Sequence, residues 1–169
     1  IKTVTGVLGA GKTYYVMNEV LSKYFDYSDQ FDEWIPKKEI EIITNVAGVK
    51  LPVKNLDFEI ECSGGLDKYF SVPFWSGCEM KSRIIIIDEA QSPRYFPRKY
   101  YNPDVFYFFQ YSRHLGFDIY LVTQDLGALA KELRNLAEYD VETQPRSKLF
   151  GMEFRYHLMC GSQKIRTKV

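Results

Sequence analysis

Eight residues near the amino terminus have the residue types and the spacing with which proteins hold phosphate groups. The stretch GVLGAGKT (6–13) matches G-x-x-x-x-G-K-[ST] through Gly6, Gly11, Lys12 and Thr13. Glycines let successive backbone N–H groups curve around phosphate oxygens, the lysine ammonium binds the β- and γ-phosphates, and the threonine hydroxyl can join the shell of a Mg²⁺ ion. The alternative is an ordinary glycine turn that enters a helix. The predicted nucleotide contacts are Gly6, Gly9, Ala10, Gly11, Lys12, Thr13 and Tyr14.

Two acidic residues lie where the run RIIIID (83–88) ends: Asp88 is its last residue and Glu89 follows directly. Asp88 ends a β-branched stretch that is typical of a central parallel strand, and ligands collect at the carboxyl ends of such strands. We predict that Asp88 is the second Mg²⁺ contact, with Thr13, and that Glu89 orients and deprotonates the attacking water. The alternatives are a helix-start or loop acid at Asp88 and a solvated loop residue at Glu89. An acid pair in this position is typical of ATP-hydrolysing motors, and the chain has no NKxD guanine-reading tetrapeptide, so the predicted ligands are ATP and Mg²⁺.

A third polar signal ends the apolar stretch YLVTQ (120–124). If this strand neighbours the strand before the glycine loop, Thr123 and Gln124 lie beside the γ-phosphate. Gln124 is then a candidate sensor of that phosphate; the alternative is a residue that caps the next helix.

One arginine is a candidate for action on a neighbouring subunit. Arg113 lies on a predicted helix before the DIYLVTQ strand, and an arginine supplied in trans can stabilise transition-state charge. Together with Lys12, Glu89 and Gln124, it completes the predicted catalytic set. The neighbouring His114 fits a structural role. A surface or salt-bridge role is the alternative for Arg113, and the other candidate arginines are Arg94, Arg98 and Arg134.

The order of elements predicts how these residues are positioned. Hydrophobic periodicity predicts strands at 2–5, 39–46, 83–88 and 118–124, helices at 13–25, 103–115 and 127–137, and β segments at 140–144 and 148–160 joined at PRS. Residues 26–38 are predicted to be a connection, and residues 47–82 an irregular insertion or a short β-hairpin. This alternation predicts an α/β fold of the P-loop NTPase class, with a mainly parallel central sheet, helices on both faces and a C-terminal β extension, in one domain over residues 1–169.

Composition excludes some classes of function. Lys plus Arg equals Asp plus Glu at 22 each, so no overall charge attracts the chain to nucleic acid, and we expect no sequence-specific nucleic-acid partner. The longest apolar run is far too short to span a membrane. Cys62, Cys78 and Cys160 lack metal-site spacing and are predicted to be free reduced thiols, with a Cys62–Cys78 bridge as the alternative. We expect a soluble chain that faces the cytosol and that is cut from a larger protein.

Three stretches of the chain resemble one protein family. TGVLGAGKTYY (5–15), IIIIDEAQ (84–91) and above all YSRHLGFDIYLVTQD (111–125) are similar to the zonula occludens toxin family, which includes the assembly and export ATPases of filamentous phages. The first two stretches are shared by many P-loop proteins, whereas the third is far more specific. The resemblance covers roughly residues 1–145, and it departs from a common family form at Leu8, where proline is frequent.

The resemblance implies a function that composition cannot show. Members of this family are inner-membrane proteins with a cytoplasmic P-loop domain, a later membrane span and a periplasmic tail, and they are similar to hexameric secretion and DNA-translocation ATPases. It therefore implies a homo-oligomer, with a hexamer expected, at the cytoplasmic face of the bacterial inner membrane. It also implies ATP-driven extrusion of phage, with coat proteins and an envelope export complex as partners. The alternative is a nucleotide-gated binding module with little turnover that recruits coat or host proteins; a small P-loop kinase is a weaker third reading.

Overall fold

An eight-stranded sheet lies at the centre of the computed structural model, which describes residues 1–144, 155–160 and 163–168. The strands are β1 (Lys2–Thr5), β2 (Phe25–Ser28), β3 (Glu33–Pro36), β4 (Ile40–Thr44), β5 (Val53–Asn55), β6 (Ser82–Ile87), β7 (Phe117–Thr123), β8 (Tyr139–Gln144), β9 (Arg155–Cys160) and β10 (Gln163–Lys168). The helices are α1 (Lys12–Tyr24), α2 (Leu56–Ser63), α3 (Leu66–Tyr69), α4 (Val72–Ser76), α5 (Pro103–Tyr111) and α6 (Lys131–Leu136), with 3₁₀ turns at Ser112–Leu115 and Leu126–Ala128.

The strand order of the large sheet is β10-β9-β8-β1-β7-β6-β4-β5. The strands from β8 to β5 in this order pair in parallel, and β9 and β10 add to β8 as antiparallel strands. This arrangement confirms the predicted mainly parallel sheet and its C-terminal β extension. It also places β7 between β1, which precedes the glycine loop, and β6, which precedes the acid pair.

Both faces of the sheet are covered, as the continuous isoleucine run predicts. Ile84 and Ile86 point to the face where Val16 and Val20 of α1 pack. Ile85 and Ile87 point to the opposite face and join a cluster with residues of α2 to α6, such as Leu133. Successive strand residues face opposite sides, so one run of isoleucines contributes to the hydrophobic cores on both faces of the sheet. Because β6 is packed on both faces, the acid pair that follows it is held at the carboxyl end of this strand.

The predicted limits of the helix after residue 102 are confirmed. The Asn102 side chain accepts hydrogen bonds from the backbone N–H groups of Asp104 at 3.0 Å and Val105 at 3.3 Å, and Pro103 occupies the first turn. The helix continues into the 3₁₀ turn, which ends at Gly116 with φ 79°.

The predicted connection at 26–38 is wrong, because β2 and β3 form an antiparallel hairpin there. Tyr27 pairs across the strands with Trp34, and their rings lie 5.2 Å apart in an edge-to-face arrangement. Both strands have only four residues, and β3 is exposed throughout, so the hairpin lacks a long apolar–polar alternation. A cross-strand aromatic pair of this kind stabilises a hairpin, but the pairing joins residues seven positions apart and leaves no local pattern.

The predicted irregular insertion or hairpin at 47–82 is also wrong. It contains the edge strand β5 and the short helices α2, α3 and α4. Asn55 caps α2 by accepting from the Phe58 N–H at 3.0 Å. Tyr69, Phe70 and Trp75 are buried against the core on this face of the sheet. Helices of eight, four and five residues are too short to show helical periodicity, and their stability comes from this aromatic packing.

The helix predicted at 127–137 is broken near its start. Leu129 forms an isolated bridge with Pro97, and Ala130 N–H donates to the Phe96 carbonyl at 3.0 Å. These contacts hold the chain extended between the 3₁₀ turn and α6. Tertiary contacts therefore override a local sequence of good helix formers.

The predicted joint at PRS (145–147), and residues 148–154 of the second β segment, lie outside the described residues. Within the described part of the chain, the longest helix has 13 residues, and no helix has the length and apolar character needed to cross a bilayer. Cys62 and Cys78 are exposed free thiols, which confirms the predicted thiol state for these two residues and excludes the bridge between them in this structure.

Candidate nucleotide-binding and hydrolysis site

The loop between β1 and α1 leaves the first turn of the helix open to an anion. Gly11 lies at the N-cap in a left-handed conformation, with φ 79° and ψ 23°. Among the described residues, no side chain caps this helix, and its first turn has no acidic residue. The first N–H groups of a helix lack partners within the helix and carry partial positive charge. The loop therefore presents backbone donors to a phosphate group, as the glycine pattern predicts.

Gly6 is the point where the loop approaches a neighbouring strand. Its φ is 149°, and a Cβ at this position would lie 2.2 Å from Thr143 Oγ1 and 2.5 Å from the Thr143 carbonyl oxygen. Thr143 in turn donates from Oγ1 to the Thr5 carbonyl at 3.0 Å. A side chain at position 6 would displace the backbone of β8, so glycine is required here for close packing as well as for conformation.

The Lys12 ammonium lies inside the loop. Lys12 is 8% exposed, and its Nζ donates to the carbonyls of Gly6 at 2.8 Å and Val7 at 3.2 Å. These acceptors are neutral dipoles, so they satisfy hydrogen bonds without balancing the positive charge. An ammonium held in this way can exchange carbonyl acceptors for phosphate oxygens.

Thr13 and Asp88 meet as predicted from the sequence. The Thr13 hydroxyl donates to Asp88 Oδ2 at 3.1 Å, although 75 residues separate the two positions. One hydroxyl and one carboxylate side by side form a pair of hard oxygen ligands, which suits Mg²⁺ in sites that the substrate phosphates complete. The residues present therefore fit the predicted metal ion.

Glu89 has an unusual backbone conformation, with φ 52°. Its N–H donates to Asp88 Oδ1 at 3.0 Å. Its carboxylate accepts from Gln124 Nε2 at 2.8 Å and also from Gln91 Nε2. A left-handed conformation in a residue other than glycine costs free energy and persists only where neighbouring contacts enforce it. The acid side chain is thus held at a defined place beside the loop.

The strand pairing explains how Gln124 reaches this place. In β7, Leu121 aligns with Thr3 and Thr123 aligns with Thr5 of β1. The strand before Gln124 therefore neighbours the strand before the glycine loop, which is the condition under which we predicted Gln124 beside the γ-phosphate. Gln124 donates to Glu89, so the structure brings the two predicted residues together.

Sequence reasoning missed Asn45, which directly follows β4. Its Nδ2 donates to the Asp88 carbonyl at 2.8 Å, and its Oδ1 accepts from the Asp88 N–H at 2.8 Å. Nδ2 also lies 3.1 Å from the Tyr95 hydroxyl. A signal was present in the sequence, since Asn45 follows a strand next to the acid strand, just as Gln124 follows β7.

Arg113 lies far from this group. It belongs to the 3₁₀ turn that precedes β7, so it stands at the amino ends of the strands, and it forms an ion pair with Glu138. The His114 ring stacks on Tyr111 at 4.7 Å. Arg94 binds Asp57 at 3.2 Å. Within this chain, the structure brings together Lys12, Thr13, Asp88, Glu89 and Gln124 at the carboxyl ends of the strands. Arg113 lies at the opposite edge of the sheet, formed by the amino ends of the strands.

Comparison with known proteins supports the fold and identifies the family. The family model described as "Zonular occludens toxin (Zot)" matches residues 1–169, whereas no curated protein gives a significant match. The N-terminal domain of zonular occludens toxin from Neisseria meningitidis has a TM-score of 0.67 at 20% identity, over 96% of this chain and 85% of that one.

A viral genome packaging NTPase shares the same fold. B204 from Sulfolobus turreted icosahedral virus 2 has a TM-score of 0.61 at 16% identity in its sulfate complex, over 99% of this chain and 94% of that one. In its complex with AMPPCP, the TM-score is 0.55 at 18% identity, over 88% and 76%. At these identities, the similarity establishes the fold alone, and the family assignment depends on the family model. Because that model matches the whole of residues 1–169, the chain belongs to the zonular occludens toxin (Zot) family.

Proposed function

We propose that this chain is an ATP-binding and ATP-hydrolysing motor domain that powers assembly and extrusion of filamentous phage through the bacterial envelope. The observation that carries the proposal is the meeting of Lys12, the Thr13–Asp88 pair, Glu89 and Gln124 at one edge of the sheet, beside the uncapped start of α1. Membership of the Zot family and a fold shared with a packaging NTPase support it.

In this proposal, the loop binds the triphosphate through charge and backbone donors. Lys12 exchanges its two carbonyl acceptors for oxygens of the β- and γ-phosphates. The N–H groups from Gly9 to Tyr14 surround the phosphates, with the start of α1 behind them. Thr13 and Asp88 hold Mg²⁺, which when bound neutralises charge on the phosphate oxygens.

Hydrolysis in the proposal transfers the γ-phosphoryl group to water. Glu89 accepts a proton from the water as the water oxygen bonds to the γ-phosphorus. The bond between that phosphorus and the oxygen bridging to the β-phosphate breaks, which releases ADP and inorganic phosphate. Gln124 donates to Glu89 in this structure, so the same amide can turn to a γ-phosphate oxygen and report its presence. Arg113 stands at the opposite edge and can take part only on the nucleotide of a second copy.

The wider setting of the proposal comes from the family resemblance. We propose a homo-oligomer, with a hexamer expected, at the cytoplasmic face of the bacterial inner membrane, anchored by a span outside this chain. Phage coat proteins and an envelope export complex are the proposed partners. With Lys plus Arg equal to Asp plus Glu at 22 each, we propose no sequence-specific nucleic-acid partner.

The substitution Glu89→Gln tests the proposal. It preserves shape and removes the proton acceptor, so we expect ATP and Mg²⁺ to bind as in the parent chain. We expect turnover to fall about 10²–10⁴-fold, the usual contribution of a general base. The measurements are a nucleotide dissociation constant and the rate of ADP release. Glu39→Gln is the matched control, since Glu39 lies before β4 at the amino ends of the strands, where it pairs with Lys81 at 2.8 Å. Equal turnover in Glu89→Gln and the parent chain would remove Glu89 from this role.

One observation favours a second candidate, a nucleotide-gated binding module that recruits coat or host proteins with little turnover. Gln91 donates to Oε2 and Gln124 donates to Oε1 of the Glu89 carboxylate, so an attacking water must compete with an amide donor at either oxygen. ADP release measured at rising protein concentration separates the candidates. A rate per chain that rises with concentration supports a motor that assembles. A rate that stays at the spontaneous value, with nucleotide binding intact, supports the module.

A further inference from the structure

The side chain of Asn45 continues the sheet beyond the point where its strands stop pairing. In the ladder between β4 and β6, the last aligned pair is Thr44 with Ile86. One step further, the Asn45 amide bonds both backbone groups of Asp88, its N–H and its carbonyl, each at 2.8 Å. In the parallel ladder, the N–H and the carbonyl of one residue bond to backbone groups of two different residues on the neighbouring strand, whereas here one side chain supplies both hydrogen bonds. The side chain thus replaces backbone pairing where the chain turns out of the sheet.

The peptide that follows Asp88 needs such a restraint. The Asp88 carbonyl and the Glu89 N–H belong to one planar peptide group, so a bond to that carbonyl fixes the orientation of both. Glu89 leaves this peptide with φ 52°, a conformation that surrounding contacts must enforce. The orientation of the peptide decides where the Glu89 carboxylate lies relative to Gln124 and the glycine loop.

A partly buried network in turn fixes the orientation of the Asn45 amide. Tyr95 is 4% exposed, and its hydroxyl lies 3.1 Å from Asn45 Nδ2 and 2.5 Å from Asp57 Oδ1. Burial, together with the bond to Asp57, raises the pKa of Tyr95 to about 12, so the hydroxyl keeps its proton and donates it to Asp57. It therefore accepts from Asn45, and both Asn45 N–H groups have acceptors.

We propose that Asn45 is a positioning residue for ATP hydrolysis, which sets the peptide between Asp88 and Glu89 and through it the Glu89 carboxylate. The inference rests on the proposed ATPase function. Asn45 bonds the backbone of Asp88, whereas the Lys12 bonds and the side-chain bond between Thr13 and Asp88, which hold the nucleotide and metal ion in that proposal, involve no atom of Asn45. Loss of Asn45 should therefore separate turnover from binding.

The test measures ATP affinity and steady-state kinetics in Asn45→Ala and Asn45→Asp. The first removes both bonds to Asp88; the second keeps the shape but places an oxygen against the Asp88 carbonyl. We expect the dissociation constant of ATP with Mg²⁺ and the KM to stay within about twofold of the parent chain. We expect kcat to fall about 10²-fold, the scale of a displacement near 1 Å at a reacting group. Unchanged kcat in a folded variant would overturn the inference.

Two further variants exclude a merely structural effect. Asn55→Ala is the matched control, because Asn55 also accepts from a backbone N–H, that of Phe58 at 3.0 Å, and it lies on the next strand. It should lower the melting temperature without changing kcat. If Asn45→Ala does not fold, Tyr95→Phe takes its place. It removes the hydroxyl that orients the amide, and a kcat reduced about threefold or more with unchanged ATP affinity supports the inference, whereas an unchanged kcat contradicts it.

A crystal structure of Asn45→Ala, or of Asn45→Asp, distinguishes failure of this inference from failure of the ATPase proposal. A parent chain that releases ADP no faster than the spontaneous rate would defeat the ATPase proposal. The structural part of the inference would still be decided by the backbone of the variant. We expect Glu89 to leave the φ 52° conformation and to lose its bond to Gln124. A variant in which Glu89 keeps both features would overturn the inference whatever the turnover.

Discussion

Two buried cations, one at the carboxyl edge and one at the amino edge of the central sheet, where the strands end and begin, are held in different ways. Lys12 lies in the glycine loop at the carboxyl ends of the strands and is 8% exposed. Arg83 lies near the amino end of β6 and is 6% exposed. Arg83 Nε binds Glu41 Oε2 at 2.9 Å and one Nη binds the Glu79 carbonyl at 2.8 Å. Lys12 binds only the carbonyls of Gly6 and Val7 among its described contacts.

The surroundings of Arg83 complete a structural site. Its guanidinium carbon lies 4.9 Å from the centre of the Trp75 ring and 5.6 Å from that of Phe117. The guanidinium therefore has a carboxylate partner, two hydrogen bonds and two aromatic contacts within the fold. Lys12 has hydrogen bonds but no such carboxylate partner within the described part of the chain. The difference indicates that a buried cation with its own carboxylate stabilises the fold, whereas one bound to carbonyls is available to an anionic ligand.

Arg83→Met is expected to have the largest effect on stability. Removing one partner of a buried ion pair costs about 3–5 kcal/mol. We expect about 3 kcal/mol here, because Glu41 keeps its ion pair with Lys54 and methionine preserves part of the packing on Trp75. The measurement is the free energy of unfolding in urea, without nucleotide.

Arg98→Met is the matched control for this change, since Arg98 is exposed in the loop before α5, and it should alter stability by less than about 0.5 kcal/mol. An equal loss in the free energy of unfolding in both variants would mean that the contacts of Arg83 with its buried partners do not stabilise the fold. Arg83→Met should still bind ATP as tightly as the parent chain.

Lys12→Ala is expected to have the opposite effect to Arg83→Met, with weaker ATP binding and little change in stability. A charged hydrogen bond contributes about 1.5–3 kcal/mol, so its loss should weaken ATP binding about 10- to 100-fold. ATP with Mg²⁺ at about 100 times the parent dissociation constant should stabilise the parent by about 2.7 kcal/mol, a melting shift of about 5–10 °C. In Lys12→Ala the stabilisation by ATP should fall to about 0.4–1.4 kcal/mol, which leaves about half of the melting shift or less, while stability without nucleotide changes by less than about 1 kcal/mol.

Thermal melting of both variants with and without nucleotide therefore tests directly whether Lys12 serves ligand binding and Arg83 serves stability. If Lys12→Ala keeps the full shift, the loop does not use Lys12 for phosphate. If Arg83→Met loses the shift, the two edges are not independent.

The sequence predicts the part of the fold in which local patterns are long or chemically distinctive. The isoleucine run of β6 and the helix predicted to begin at residue 103 both have the predicted structure. The hairpin β2–β3 and the helices α2 to α4 were not predicted, because Tyr27 meets Trp34, and Phe70 meets Phe109, only after folding. Their stability comes from contacts across the chain, which leave no local period.

The candidate site divides in the same way. Each residue that follows a strand in the middle of the sheet can be proposed from the sequence, as Asp88, Glu89 and Gln124 were. That Gln124 donates to Glu89 depends on β7 lying between β1 and β6, and this order appears only in the folded sheet. Asn45 requires both the strand order and the knowledge that its amide bonds to backbone.

Acid pH is expected to have the smallest of these effects, and it acts on the Arg83 edge. Burial by itself raises the pKa of Glu41, but the hydrogen bonds and charges of Lys54 and Arg83 outweigh burial and lower the pKa below its ordinary value of 4.5. A carboxylate with a lowered pKa in the folded state contributes stability above its unfolded pKa, and this contribution is lost as the pH falls through the folded pKa. The Glu41 side chain is 20% exposed, so solvent screening limits the contribution to about 1 kcal/mol or less.

Urea unfolding at about pH 7 and about pH 3 should show a larger loss of stability for the parent chain than for Glu41→Gln, since the other carboxylates titrate in both. An equal loss in the two proteins would mean that the Glu41–Arg83 pair adds no pH-dependent stability, and would remove the electrostatic distinction between the two edges of the sheet.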